Sequence, residues 1–246
     1  MNSYSSMAQL YDELMNDVDY HKWYEYIEQI FKKKDLKPRN ILEMACGTGN
    51  FTEILCNNDY NVTCFDLSDE MLVVAYEKLR KFNNVTILKQ NMINFKINES
   101  FDMVLSICDS INYITKEQDL INTFDRVYSH LNDNGIFIFD INSKYKLENI
   151  IAKNIFVNDY EDVFYTWESE YENQNSIINF YLTFFVKEGN LYNRFDEVHT
   201  QRVYSTDEIL AALYKAGFKK IEVFEAFTFD EPNTNSHRLN FIAHKI

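Results

Sequence analysis

The stretch Ile41 to Asn50, Ile-Leu-Glu-Met-Ala-Cys-Gly-Thr-Gly-Asn, limits the possible folds of this chain more than any other. A short apolar run (Ile41, Leu42, Met44) breaks into small residues and then into a helix-compatible segment, which predicts a strand, a tight turn and a helix N-terminus. Gly47 and Gly49 carry no Cβ and Ala45 only a methyl, so a ligand can lie close against the backbone of the turn. The helix that follows points unsatisfied N–H groups and the positive end of its dipole at that space, which favours an anionic group there. A Gly-x-Gly after a strand is by itself only a tight turn, so spacing further along must corroborate the reading.

That spacing narrows the ligand. A dinucleotide fingerprint needs Gly-x-Gly-x-x-Gly, but glycines at 47 and 49 require a third at 52, where Thr52 stands; starting at 45 puts Asn50 in the third place. What fits is an acid followed by small residues at alternate positions, Glu43-x-Ala45-x-Gly47-x-Gly49. This pattern resembles the cofactor loop of the class I S-adenosylmethionine (SAM) dependent methyltransferases, acid-x-Gly-x-Gly-x-Gly, with Ala45 in place of the first glycine. The extra methyl is expected to sit at negative φ. The chemistry agrees: a carboxylate at Glu43 would repel a pyrophosphate, whereas SAM presents an ammonium and a sulfonium, with one carboxylate for the helix end.

The resemblance, closest to the small-molecule N-methyltransferases of the glycine and amino-sugar type, implies an α/β fold: a Rossmann-like, doubly wound, mostly parallel seven-stranded sheet. Alternating strand and helix patterns after the glycine turn agree with it. Asn61 to Asp66 reads as a second strand with its helix over Ser68 to Phe82, and Val85 to Gln90 as a third strand. Phe101 to Cys108 is a fourth strand, and Gly135 to Asn142 a fifth, after an Asn132-Asp133-Asn134 turn. Thr115 to Gln118 offers a capping box, and a helix is expected within Lys144 to Asn154. From about residue 155 to 204 the pattern becomes β: three runs, Val163 to Glu172, Ser176 to Lys187 and Leu191 to Tyr204, predict an inserted antiparallel β meander. Ile178, Phe180, Leu182, Phe184 and Val186 share one oily face of the middle run. Ser205 with Glu208 makes a second capping box, Gly217 ends that helix, and Lys219 to Phe227 and His237 to Ile246 supply two final strands. The expected organisation is an N-terminal helical lid over 1–37, a SAM-binding core over 38–154, the insertion over 155–204 roofing the acceptor, and the end of the core over 205–246.

Site residues follow. Asp66 ends the second strand, where an acid can accept both ribose hydroxyls of an adenosine; that identifies a nucleoside, and NAD would be served equally. From the resemblance, Glu43, Ala45, Cys46, Gly47 and Gly49 form the cofactor loop, with Asp66, Leu67 and Met71 around the ribose. Asn91, in place of the family's acid, and Met92 edge the adenine, and Cys108 closes the site. Tyr4 or Tyr11 is expected to fold over the cofactor with Trp23 behind, an aromatic core stripe being the alternative. The ends of the first and fourth strands flank the topological switch point, so residues 108 to 113 should face the transferred methyl. His199 is the leading candidate base, since Glu197 shares its strand face, with Tyr113 and Asp109 as alternatives.

Composition bounds the rest. The 246 residues are 46% hydrophobic and 16% aromatic, enough for a large buried core, and no apolar run reaches a membrane span. Four cysteines without metal-type spacing predict reduced thiols in a cytoplasmic protein, and no metal site is expected. A formal charge of −14 disfavours a nucleic-acid substrate, although RNA methyltransferases share the fold. The expected function is methyl transfer to a small molecule, at nitrogen before oxygen. A NAD-dependent oxidoreductase and a non-catalytic SAM-binding regulator are the rivals. The acceptor and the oligomeric state are open.

Overall fold

The computed structural model describes residues 11–12, 18–160 and 162–246. Helix α1 (Tyr20–Lys34) starts where the Asp19 side chain accepts from the Lys22 N–H and buries Trp23, Tyr26, Ile27, Ile30 and Phe31 along one stripe. Strand β1 (Asn40–Met44) follows, then α2 (Asn50–Asn57), β2 (Asn61–Asp66), α3 (Asp69–Leu79), β3 (Val85–Lys89) and β4 (Phe101–Ser106). Past one 3₁₀ turn at Ser110–Tyr113 come α4 (Glu117–His130) and β5 (Leu131–Asn142). Four strands, β6 (Phe156–Asp159), β7 (Val163–Glu172), β8 (Ile177–Glu188) and β9 (Leu191–Arg202), precede α5 (Thr206–Lys215), β10 (Lys220–Glu225) and β11 (Arg238–His244).

The central sheet has seven strands in the order β10-β11-β5-β4-β1-β2-β3, with only β11 antiparallel to its neighbours. Its strands are apolar on both faces because helices cover both. Phe137, Phe139 and Ile141 pack under α4 and α5, while Ile136 and Ile138 pack with α1 and α2. The expected doubly wound fold is therefore what the chain adopts, and strand order reverses between β1 and β4, where such sheets open a crevice at their C-terminal edge.

The second sheet, β6-β7-β8-β9, is the expected inserted meander with one strand more than the sequence suggested. Ile178, Phe180 and Phe184 are buried on its inner face, as the alternation of β8 predicts. Two local expectations fail, and a third is met in another form. Asn134 takes a left-handed φ of 63° inside β5, so the predicted turn is absorbed as an irregularity of the β4–β5 ladder. The segment after β5 forms a single π-helical turn, Lys146–Ile151, within the helix expected there. Helix α4 begins at Lys116 with no side-chain cap, so Thr115 and Gln118 make no capping box, whereas Ser205 and Glu208 do. Among the described residues no helix is long and apolar enough to cross a membrane.

Candidate active site

Three alternate residues of the turn after β1 lie in the left-handed region: Ala45 at φ 54°, Gly47 at 56° and Gly49 at 79°. This corrects the expectation for Ala45, whose methyl sits in a conformation that glycine adopts freely and that costs an L-residue roughly 1–2 kcal/mol. The two glycines serve different ends. A Cβ on Gly49 would come within 2.9 Å of Leu79 Cδ1, so its absence lets α3 pack. A Cβ on Gly47 would meet nothing within 4 Å: that face of the turn borders open space, as a ligand cradle requires.

Asp66 stands beside this cradle. Its carboxylate accepts from the Gly47 N–H and from the Ser68 N–H, each at 2.9 Å, which ties the end of β2 to the glycine turn. Two oxygens with two lone pairs each leave it capacity for two further donors. Ser68, freed from other duty, caps α3 by accepting from the Met71 N–H. Below the turn, Glu43 is 2% exposed and accepts from the Thr52 hydroxyl at 2.6 Å. Burial, with Asp66 adding to it, pushes its carboxyl up to about 8. Cys46 and Cys108 are likewise raised, Cys46 by its contact with Cys64 and by burial, Cys108 by burial and the Asp140 carboxylate; both stay thiols.

The end of β4 is bent twice, with Cys108 and Asp109 both left-handed at φ 59° and 54°. A clamp holds that strain. The Asp109 N–H donates to Asp140 Oδ2 at 2.9 Å, Arg238 donates to both Asp109 and Asp140, and Gln201 donates to Asp109 Oδ2 at 2.9 Å. Asp140 is wholly buried, which pushes its carboxyl up to about 6 against the pull of Arg238. Arg238, between two carboxylates, is held even more firmly as a cation. Asn112 then stitches the meander to the core, accepting from the Asn142 N–H at 2.9 Å and donating to the Arg202 carbonyl at 3.0 Å.

Above this clamp, His199 Nε2 meets Glu197 Oε2 at 2.8 Å, and His199 Nδ1 meets the Tyr113 hydroxyl at 3.5 Å. In the tautomer with the proton on Nε2, that nitrogen donates to Glu197 and Nδ1 offers a lone pair to the Tyr113 hydroxyl. The Tyr113 ring is 46% exposed, yet crowding around its hydroxyl and the Asp109 carboxylate raise the phenol, which stays protonated. The three sequence-derived base candidates thus meet at one place. Asp109 accepts from Arg238 through one oxygen and from Gln201 through the other, which fixes the orientation of its carboxylate.

Tyr11 and Asp12 stand near the same place. Tyr11 lies close enough to Tyr20, Tyr113, Cys108 and Asp109 for them to add to the burial that raises its phenol. Its neighbour Asp12 accepts from Thr48 and from Asn50 Nδ2, the latter at 3.0 Å, and pairs with Lys78 at 3.0 Å, at the start of α2. Tyr4 lies outside the described residues. Trp23 is a correction: at 3% exposed and edge-on to Phe227 at 4.6 Å, it is spent in the core. At the far rim, Leu67 is 61% exposed, Met71 is in the first turn of α3, and Met92 packs against the core. Asn91 Oδ1 accepts from the Ile93 N–H, leaving its amide nitrogen without a partner among the described residues. Arg238, Asp140, Gln201 and Asp12 were not singled out from the sequence. Only Asp140 left a signal there, as the one acid in the apolar run Ile136 to Ile141.

A seven-stranded sheet of this order, with a glycine turn after β1 and an acid ending β2 beside it, is the fold of the methyltransferase kind, and comparison with known proteins agrees. The family model described as a methyltransferase domain matches residues 41–135. The chain is 35% identical over 243 residues to the Bacillus subtilis protein named "Putative methyltransferase YqeM", covering 98% of this chain and 97% of that one. The crystal structure of a SAM-dependent methyltransferase from Clostridium acetobutylicum superposes with a TM-score of 0.89 at 36% identity, covering 99% of each chain. A dTDP-3-amino-3,6-dideoxy-alpha-D-glucopyranose N,N-dimethyltransferase of Streptomyces fradiae is 25% identical over 137 residues, 54% of this chain and 52% of its own. The chain belongs to the class I SAM-dependent methyltransferases: it is an enzyme of methyl transfer whose donor is S-adenosyl-L-methionine.

Proposed function

We propose that this enzyme methylates a nitrogen of a small-molecule amine. The observation that carries the reading is the charge at the end of β4. Asp109 and Asp140 share one guanidinium, and Asp140 Oδ1 is buried with no partner among the described residues, so the wall holds one carboxylate more than it has cations. With Glu197 opposite, that surplus suits an acceptor arriving as an ammonium and opposes an anionic one such as RNA. The amino-sugar dimethyltransferase among the relatives supports the same class.

In this reading the open face at Gly47 receives the cofactor, Asp66 takes its ribose hydroxyls, Glu43 its ammonium, and Asn91 with Met92 the adenine, while Tyr11 folds over it. When bound, SAM supplies a methyl group on a cationic sulfur. The protein's part is to align the acceptor nitrogen, exclude water and take one proton. The acceptor ammonium gives one N–H proton to the Tyr113 oxygen as the Tyr113 hydroxyl proton passes to His199 Nδ1, which frees the nitrogen lone pair for attack, and Glu197 stabilises the resulting imidazolium. Asp109 positions the strand end under Arg238.

Incubation with SAM and paired amines and alcohols of matched skeleton tests the proposal, read as a mass gain of one methyl. Amines gaining methyl while the alcohols do not is the expected result; methylated alcohols alone would overturn the nitrogen assignment.

A further inference from the structure

Gln201 carries a hydrogen-bond acceptor that no described residue satisfies. It stands at the end of β9, 2% exposed, on the same face as His199 and opposite the buried Ile178. Its Nε2 donates to Asp109 Oδ2 at 2.9 Å. A carboxylate only accepts, so this contact fixes which end of the amide faces Asp109 and turns Oε1 away from it. There Oε1 is buried with no donor among the described residues. A buried carbonyl oxygen without a donor forfeits its bonds to water and regains nothing, so its presence in a native fold calls for a cause.

The surroundings of that oxygen narrow the chemistry of its donor. Gln201 stands close to Tyr113, where it pulls against the burial and the Asp109 carboxylate that raise the phenol. The Tyr113 hydroxyl in turn meets His199 Nδ1 at 3.5 Å. The orphaned oxygen is therefore a neighbour of the group that takes a proton in the proposed reaction, in a wall whose two carboxylates, Asp109 and Asp140, share a single guanidinium. A cationic N–H is the donor such a place favours.

We infer that Gln201 Oε1 accepts an N–H that the acceptor nitrogen keeps through methyl transfer, so that Gln201 selects nitrogen over oxygen and refuses a nitrogen with no hydrogen to spare. The selection is a count of hydrogens, and it rests on the amine reading above. A protonated primary amine has three N–H groups and a secondary one two. One proton goes to the Tyr113 oxygen, the freed lone pair forms the new N–C bond, the C–S bond breaks and its electron pair stays on sulfur. At least one N–H then remains for Gln201. A tertiary ammonium has a single N–H and an alcohol a single O–H, and losing it leaves Oε1 unpaired at the moment of transfer.

Ligand-observed NMR titration of dimethylammonium and of trimethylammonium into the chain with S-adenosylhomocysteine bound tests this with the acceptor's head group alone. Dimethylammonium can serve Tyr113 and Gln201 at once, trimethylammonium only one of them. The preference for dimethylammonium is expected to be about tenfold greater in the wild type than in Gln201→Met, with circular dichroism unchanged. Gln201→Lys keeps a donor for Asp109 but presents no acceptor, and it should lose the preference equally; a role confined to bracing Asp109 would leave the preference intact there. A preference that survives either variant, or that the wild type lacks, would overturn the assignment of Gln201 alone. Failure of both ions to bind the wild type would instead overturn the ammonium site, and the amine reading with it.

Discussion

At the scale of single residues the site is a set of small departures from comfort. Ala45 holds a glycine conformation, and Ala45→Gly trades that strain of roughly 1–2 kcal/mol against the extra freedom glycine has when unfolded, about 0.4–1 kcal/mol. The net expectation is a gain of about 0.5–1 kcal/mol, seen as a higher urea midpoint; a lower midpoint would contradict it. Glu43 makes a second prediction. Its carboxyl keeps its proton up to about pH 8 because it is buried, and a cationic ligand beside it favours the carboxylate. Binding below that pH therefore releases a proton, and SAM affinity should fall as pH drops from about 8, by up to about tenfold per unit. Calorimetry across pH checks this, and Glu43→Gln should flatten the profile. The spacing of Glu43, Ala45, Gly47 and Gly49 was legible in the sequence. The φ of Ala45 was not, because a methyl group is compatible with either sign until tertiary packing chooses.

At the scale of elements, hydrophobic alternation located the strands well, since each side-chain period had one dominant cause. It failed where a local signal competed with packing. Asn132 to Asn134 carries turn residues, yet the strand continues through them because Leu131 is already paired with Phe101. The pairing of Arg238 with Asp109 in the clamp on β4 left no trace in any window: the two stand 129 positions apart, and only the pairing of β11 against β5 brings them together. That clamp is also the element most exposed to damage. Arg238→Met would strand the Asp140 carboxylate in a wholly buried position, at a cost of about 3–5 kcal/mol, read as a fall in the urea midpoint. Adding Asp140→Asn should recover part of that loss, whereas equal stability of wild type and Arg238→Met would show the clamp to be idle.

At the scale of the whole molecule, four regions far apart in sequence converge on one edge of one sheet. The glycine turn and Asp66 come from the first half of the sheet, the Cys108–Asp109 bend from its centre, Arg238 from its last strand, and His199 from the insertion. Asp12 adds a contact from further back in the chain, bonding Asn50 and Lys78 across the start of α2. The topological switch point was foreseeable from the alternation of strands and helices, and an N-terminal lid and a roofing meander were expected with it; the particular contacts of Asp12 and Gln201 were not, since they depend on how separate units dock. Isothermal titration of SAM into the wild-type chain and into Asp66→Ala tests the core of this account most directly. Binding to the wild type, weakened at least tenfold in the variant, about 1.4 kcal/mol, is the expected outcome; equal affinity in the two proteins would contradict the placement of the nucleoside between Gly47 and Asp66.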